Sequence, residues 1–134
     1  MKKALDLIKL GAIIELVIER NEVLKMKIVK FYMMKKDNGK KSLKALNNTY
    51  IKEFCGKFGG CTTYDAKGYY VSSSGKLYKD SDTVAEIFVD TKKAFNDNKK
   101  AMVSYFRDIA KRYKKEAKQE AVSVVIDGHV FIIE

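Results

Sequence analysis

The order of apolar patterns along residues 26–134 constrains the fold of this chain most. Residues 43–58 and 97–118 carry apolar side chains at intervals of three and four, the spacing of one helix face. The segments around them are rich in β-branched and aromatic residues, which favour strands. The resulting order is strand, helix, strand pair, strand, helix and strand pair. This order predicts an α+β fold, a ferredoxin-like split β-α-β sandwich with both helices on one sheet face.

Turn and cap residues set the predicted boundaries of these elements. Ser42 is placed to cap the first helix and Gly59 to end it, because glycine tolerates the left-handed backbone of a helix C-terminus. Residues 61–79 predict a strand, a turn and a returning strand, and residues 83–89 predict a separate buried strand. The Asp-Gly pair at 127–128 predicts a tight hairpin turn near the end of the chain.

The beginning of the chain allows two interpretations. Residues 2–10 predict a short helix. Residues 12–34 either continue as a helix or form a β-hairpin, and their Ile and Val content favours the hairpin. The hairpin register places Glu15 opposite Lys27, where cross-strand charges attract. With 134 residues in all, we expect a single domain in which residues 1–25 extend the α+β core.

Positive charge is concentrated in two segments. The formal net charge is +10; residues 92–118 hold +7 and residues 35–57 hold +5, while residues 119–134 hold −3. A charge this uneven produces a directional field, which attracts nucleic acid or an acidic protein partner. A lysine-rich proteome produces the same excess, so charge alone does not choose the partner.

The predicted main function is sequence-independent binding of nucleic acid through the basic helix faces. In a helical projection of residues 97–118, six basic residues lie within about a third of the circumference, opposite the apolar face. Such a row is able to follow a phosphate backbone, and it is also the ordinary solvated face of a helix. A second basic cluster surrounds the start of the first helix, where anions are favoured. The two groups are Lys100, Arg107, Lys111, Lys114, Lys115 and Lys118 on the long helix, and Lys35, Lys36, Lys40, Lys41 and Lys44 around the first.

Tyrosines are concentrated in the least basic part of the chain. On an exposed sheet face they are able to stack on bases or on a nucleotide, and packing within a hairpin is the alternative. Lysines interleave with them at Lys67, Lys76 and Lys79. The candidate stacking residues are Tyr64, Tyr69, Tyr70 and Tyr78.

No sequence motif indicates catalysis or metal binding. Cys55 and Cys61 are too few for a disulfide framework and are not spaced as Cys-x-x-Cys, so they predict reduced thiols. His129 is the single histidine, and Glu86 belongs to the strand at 83–89, where we expect it on the open sheet face. We predict no metal, no cofactor and no catalytic residue. An enzyme would need Glu86, His129 or a cysteine in a concave pocket.

The apolar stretches are short, and charged residues interrupt them. None approaches the roughly 18–20 apolar residues that span a bilayer, and no signal-peptide cleavage site follows the N-terminal run. These patterns predict a cytoplasmic protein with no membrane partner. A sheet with both helices on one face leaves an open face or edge, which a second copy commonly covers. We therefore expect a homo-oligomer, most simply a homodimer.

Residues 59–134 have a distinctive order of glycines, tyrosines and strands. The order begins with Gly-Gly at 59–60, continues through Gly68-Tyr69 and a turn at Gly75, and ends after the Asp-Gly pair at 127–128. It resembles a loose group of uncharacterised small proteins of bacterial genomes, phages and plasmids. The resemblance implies this fold and an origin on a mobile element, and it brings no activity. It adds an alternative function, an interaction protein that inhibits or sequesters a host factor or a nucleotide signal.

Overall fold

The structure is a computed structural model that describes residues 26–134. Its strands are β1 (Met26–Met34), β2 (Thr62–Val71), β3 (Leu77–Asp90), β4 (Val122–Ile126) and β5 (His129–Ile133). They form one five-stranded sheet in the order β2-β3-β1-β4-β5, and every neighbouring pair is antiparallel. The helices are α1 (Lys44–Phe58), α2 (Thr91–Phe95) and α3 (Lys99–Glu116).

The connections make two split β-α-β units. α1 joins β1 to β2, and β3 lies between these two strands in the sheet. α2 and α3 join β3 to β4, and β1 lies between that pair. The turn at Asp127-Gly128 then adds β5 at one edge. This arrangement is compatible with the predicted ferredoxin-like sandwich, so the fold prediction is confirmed.

Side chains alternate between the two faces of the sheet. In β1, Val29, Phe31 and Met33 are fully buried in the core that α1 and α3 share with the sheet. Lys30 and Tyr32 lie between them in the sequence and, with Ile28, belong to the opposite face. The register with β3 continues both faces across the sheet. The alternation therefore gives one face that forms the core and one face that is only partly buried.

Aromatic side chains hold the two long helices on the sheet. The Phe31 ring of β1 lies 5.3 Å from the Phe54 ring of α1 and 5.6 Å from the Tyr113 ring of α3. The Tyr113 hydroxyl accepts a hydrogen bond from the backbone N–H of Met34 at 3.0 Å. The same hydroxyl donates to Asn47 Oδ1 at 2.7 Å. One buried side chain thus ties α3 to both β1 and α1.

Three boundaries differ from the sequence prediction. β3 is one strand from 77 to 90, because its polar middle pairs with β2 on one side and β1 on the other. The N-cap of α1 is Leu43 rather than Ser42, whose Oγ accepts a hydrogen bond from the Lys44 N–H at 3.3 Å. The short helix α2, capped by the side chain of Asp90, was not predicted.

The N-terminal predictions fall largely outside the described residues. The helix at 2–10 and the hairpin residues before 26 therefore stay predictions, as does the single-domain division at residue 25. Residues 26–34 form a strand rather than a helix, and β3 and β4 pair with its two sides. Within residues 26–134 no helix combines the length and apolar character needed to cross a membrane. The predicted cytoplasmic location stays a prediction.

Candidate functional site

The sheet face opposite α1 and α3 is not covered by any element in residues 26–134. Ile28 and Phe88 pair across β1 and β3 on this face, and they are 46% and 50% exposed. Val130 and Ile132 of β5 extend the apolar surface to the sheet edge. A contiguous exposed apolar patch of this kind is typical of a binding surface. The predicted homo-oligomer, in which a second copy covers such a face, stays a prediction.

Three polar side chains meet in the middle of this open face. Lys30 pairs directly with Glu86, and Tyr64 pairs with Val84, so that Tyr64 lies diagonally next to Glu86. The Tyr64 hydroxyl donates to Glu86 Oε2 at 3.5 Å. Lys30 Nζ lies 3.9 Å from the same oxygen. We call Lys30, Tyr64 and Glu86 the Tyr64–Glu86 cluster. Both contacts are long, so the carboxylate is held loosely.

Apolar and buried groups surround this cluster. Val84 is fully buried although it belongs to the open face, and the Glu86 side chain is only 24% exposed. Further along β3, Asp82 has one carboxylate oxygen that is buried and finds no hydrogen-bond partner within residues 26–134. Burial, and then the charge of Asp80, raises the pKa of the Asp82 carboxyl above its ordinary value. Two carboxylates beside apolar surface make this face suited to an organic cation.

The four predicted stacking tyrosines are divided between the faces. Tyr64, Tyr70 and Tyr78 belong to the open face, whereas the register places Tyr69 on the other face. The Tyr70 and Tyr78 rings stack with centroids 5.2 Å apart near the end of the β2–β3 hairpin. Lys76 Nζ lies 5.2 Å from the Tyr78 ring centroid. Packing within the hairpin therefore accounts for Tyr70 and Tyr78, and Tyr64 is the one beside a carboxylate.

The predicted basic stripe follows α3. Most of its residues are exposed, and Lys114 is half-buried. Lys118 lies beyond the helix end with a φ of 53°. The Arg107 guanidinium lies 6.0 Å from the ring centroid of Phe131 in β5. The structure thus places the stripe on a helix face remote from the Tyr64–Glu86 cluster.

The second predicted basic cluster is brought together only in part. Lys35, Lys36 and Lys44 line a cavity of about 410 Å³ between the start of α1 and the helix-side face of β2 and β3. Lys40 and Lys41 belong to the loop before α1 and are not among the lining residues. Thr63 and Thr83, which lie far along the chain, complete this cavity, and no sequence pattern indicated that they would lie beside these lysines.

The cysteines and the histidine do not form a catalytic arrangement. Cys55 and Cys61 are not joined by a disulfide, and their sulfur atoms lie 3.9 Å apart. Burial, and then the hydrogen bond with Cys55, raises the pKa of the Cys61 thiol to about 11. His129 is exposed, and its Nδ1 lies 3.2 Å from the Asp127 carbonyl oxygen. Residues 26–134 contain no group of three or more His, Cys, Asp and Glu side chains that could hold a metal ion.

A hydrogen-bonded network between α1 and α3 was also missed. Arg112 of α3 donates to Glu53 at 2.5 Å and to the Tyr50 hydroxyl at 3.2 Å. The Tyr50 hydroxyl in turn donates to Glu116. Burial, and then the hydrogen bond with Glu116, raises the pKa of Tyr50 to about 12. Only the pairing of Arg112 with Glu116, one helical turn apart, had a signal in the sequence.

Comparison with known proteins finds similarity in fold. No protein-family model matches the chain, and no curated protein matches its sequence. A solved structure of a phage SAM lyase in complex with S-methyl-5'-thioadenosine matches with a TM-score of 0.59 and 16% identity. The match covers 81% of this chain and 89% of that one. The phage SAM lyase in its apo state matches with a TM-score of 0.58 and 17% identity, over 80% and 87% of the two chains.

These matches correct the predicted main function. Nucleic-acid binding was inferred from the charge pattern, whereas the two matched structures are of a phage SAM (S-adenosylmethionine) lyase, one of them in complex with S-methyl-5'-thioadenosine. The alternative function, that of a protein that inhibits or sequesters a host factor or a nucleotide signal, agrees better with this finding. The phage source of both structures also agrees with the expected link to phages. At 16% and 17% identity, the matches show that this chain shares the fold of a phage SAM lyase.

Proposed function

We propose that this chain binds SAM at the Tyr64–Glu86 cluster and cleaves it to S-methyl-5'-thioadenosine. The observation that carries the proposal is the cluster itself, a loosely held carboxylate beside a phenol hydroxyl on a largely apolar sheet face that no element of residues 26–134 covers. The fold shared with a phage SAM lyase supports this substrate class. Removal of a nucleoside-derived metabolite is a form of the alternative function that the sequence suggested.

The cluster offers complementary groups to the two ends of SAM. SAM carries a positive sulfonium between an adenosine and an amino acid. The Glu86 carboxylate attracts that cation, because its contact with Lys30 at 3.9 Å is long enough for a substrate to replace. The Tyr64 side chain is 40% exposed and presents an aromatic ring for contact with the sulfonium or the adenine. Lys30 then remains as the positive group for the substrate carboxylate.

The apolar surroundings favour the bond cleavage. Forming S-methyl-5'-thioadenosine from SAM breaks the bond between sulfur and the γ-carbon of the amino acid. The bonding electrons go to sulfur, which changes from a sulfonium into a neutral thioether. Because positive charge on sulfur disappears in this step, poor solvation of the cation lowers the barrier. Val84 is fully buried beside Tyr64, and Phe88 follows Glu86 on the same face, so the cation would contact apolar side chains on the protein side.

The test is product formation from SAM by the purified chain. We expect S-methyl-5'-thioadenosine to accumulate in a chromatographic assay. Glu86→Gln should lower kcat/KM by about tenfold or more, since it removes a charge-assisted contact. Tyr64→Phe should also lower kcat/KM, because the hydroxyl that contacts Glu86 is lost. The co-product shows what happens to the γ-carbon after its bond to sulfur breaks. Internal attack by the substrate carboxylate gives a lactone, loss of a proton gives an unsaturated amino acid, and attack by water gives homoserine.

Two matched variants control for nonspecific effects. Tyr69→Phe makes the same chemical change on the same strand but on the opposite face. Glu120→Gln removes an exposed carboxylate outside the sheet. Both should leave product formation unchanged. If SAM binds in a calorimetric titration but no product forms, cleavage is contradicted and sequestration of SAM is the remaining function. If SAM neither binds nor is converted to product, the whole proposal is contradicted.

A further inference from the structure

The cavity of about 410 Å³ beside α1 is a second concave site, distinct from the Tyr64–Glu86 cluster. It lies on the helix side of the sheet, whereas the cluster lies on the open face. Three lysines line it: Lys35 and Lys36 after β1, and Lys44 in the first turn of α1. Among the residues from 26 onward its lining includes no carboxylate, and the first turn of α1 contains no acidic residue. The cavity therefore has a concentrated positive charge.

Backbone hydrogen bonds fix the position of these lysines. Lys36 and Ser42 form an isolated β-bridge across the loop. The Leu43 N–H donates to the Lys35 carbonyl at 2.9 Å, and the Lys35 N–H donates to the Ser81 carbonyl at 3.1 Å. These bonds hold the loop of residues 35–43 against β3 and join its two ends to each other. Because the backbone is fixed, bringing the lysines together around a ligand costs less conformational entropy.

The remaining lining suits a phosphate group. Thr63 of β2 and Thr83 of β3 contribute hydroxyl groups, and Asn48 of α1 contributes an amide. Lysines and neutral donors around one space are the groups that bind phosphate oxygens. The volume lies within the range of small-molecule sites. We infer that this cavity binds the phosphate group of a small phosphorylated molecule, a function separate from the proposed cleavage of SAM.

An internal carboxylate competes for this site. Asp65 Oδ1 lies 2.9 Å from Lys35 Nζ, and the Asp65 side chain is 77% exposed. The pair is at the surface, so its net stabilisation is small and a ligand with two negative charges is able to replace it. Removal of the Asp65 charge should therefore strengthen phosphate binding, because Lys35 then no longer has to leave Asp65.

The experiment is calorimetric titration in a chloride buffer that contains no phosphate. The probes are inorganic phosphate and ribose 5-phosphate, with ribose as the uncharged control. Lys44→Gln should weaken the binding of inorganic phosphate by about tenfold, the effect of losing one charge-assisted hydrogen bond. Asp65→Asn should tighten it by about two- to fivefold. Tighter binding of ribose 5-phosphate identifies a phosphorylated metabolite as the ligand, and equal binding identifies the phosphate ion.

Charge-matched variants separate a site from a general attraction. Lys111→Gln on α3 and Glu120→Gln change the net charge by the same amounts and should leave phosphate affinity unchanged. Equal effects of Lys111→Gln and Lys44→Gln would overturn the inference, as would absence of binding or no tightening in Asp65→Asn. Glu86→Gln should retain full phosphate affinity, so failure of the proposed SAM cleavage and failure of this site are distinguishable.

Discussion

Removal of the Tyr113 hydroxyl should destabilise the fold more than the removal of any other single side-chain oxygen in α3. In Tyr113→Phe, the Met34 N–H loses an acceptor at 3.0 Å and Asn47 Oδ1 loses a donor at 2.7 Å. Each unsatisfied buried group costs about 1–3 kcal/mol, so for two such groups we expect a loss of about 2–6 kcal/mol in the free energy of unfolding. The ring itself remains, and its packing against Phe31 is retained.

The neighbouring Tyr105 provides the matched control. Its hydroxyl oxygen is buried and has no hydrogen-bond partner within residues 26–134. Burial, and then the charge of Glu53, raises the pKa of Tyr105 to about 12. Tyr105→Phe removes a desolvated group without breaking a hydrogen bond, so its effect should lie between zero and a stabilisation of about 1 kcal/mol. The contacts of the ring with Phe58 and Phe95 do not depend on the hydroxyl.

Urea unfolding followed by circular dichroism measures both variants against the parent chain. Thermal unfolding should agree, with a shift of roughly 4 °C for each kcal/mol in a domain of this size. A Tyr105→Phe variant as unstable as Tyr113→Phe would refute the reasoning, because hydrogen-bond satisfaction would then not decide the cost. A nearly neutral Tyr113→Phe would refute it equally.

Three further predictions concern single sites. Asp82→Asn should raise the free energy of unfolding at pH 7, because the raised pKa of the Asp82 carboxyl means that its charged form is disfavoured in the fold. In urea unfolding, this gain in stability should shrink as the pH falls toward 3.8. A gain that stays constant with pH would contradict the prediction. Gly59→Ala should cost about 1 kcal/mol in the same assay, since the residue has a φ of 88° and a methyl group would meet no neighbour, and a neutral effect would contradict the strain argument. Cys61 should react slowly with iodoacetamide at pH 8, because burial raises its thiol pKa to about 11. Mass spectrometry measures the rate of modification, and a rate in the folded protein equal to that in urea would contradict the prediction.

The fold was largely predictable because its signals are local. Apolar spacing located α1 and α3, and the glycine and Asp-Gly signals located the end of α1 and the β4–β5 turn. The polar run at 79–83 suggested a break in β3, but pairing with β2 along the whole run, and with β1 from Asp82 onward, overrides local propensity there. The register between β2 and β3 depends on a long hairpin, and no residue pattern specified it.

The site was predictable only in its separate parts. Alternation in β3 correctly placed Glu86 on the open face. Its proximity to Tyr64, 22 residues earlier, and to Lys30 depends on strand order, which the sequence pattern does not fix. Charge was misleading because it shows where anions are attracted and not which group recognises a ligand. The basic stripe on α3 therefore drew the first prediction away from the sheet.

The most direct test of the central claim is to locate nucleoside binding on the protein by NMR. Backbone amide shifts of the labelled chain would be followed while S-methyl-5'-thioadenosine, the proposed product, is added. We expect the largest shifts at Tyr64, Glu86 and Phe88 on the open sheet face. Shifts confined to α1 and α3, or no shifts at saturating nucleoside, would contradict the central claim.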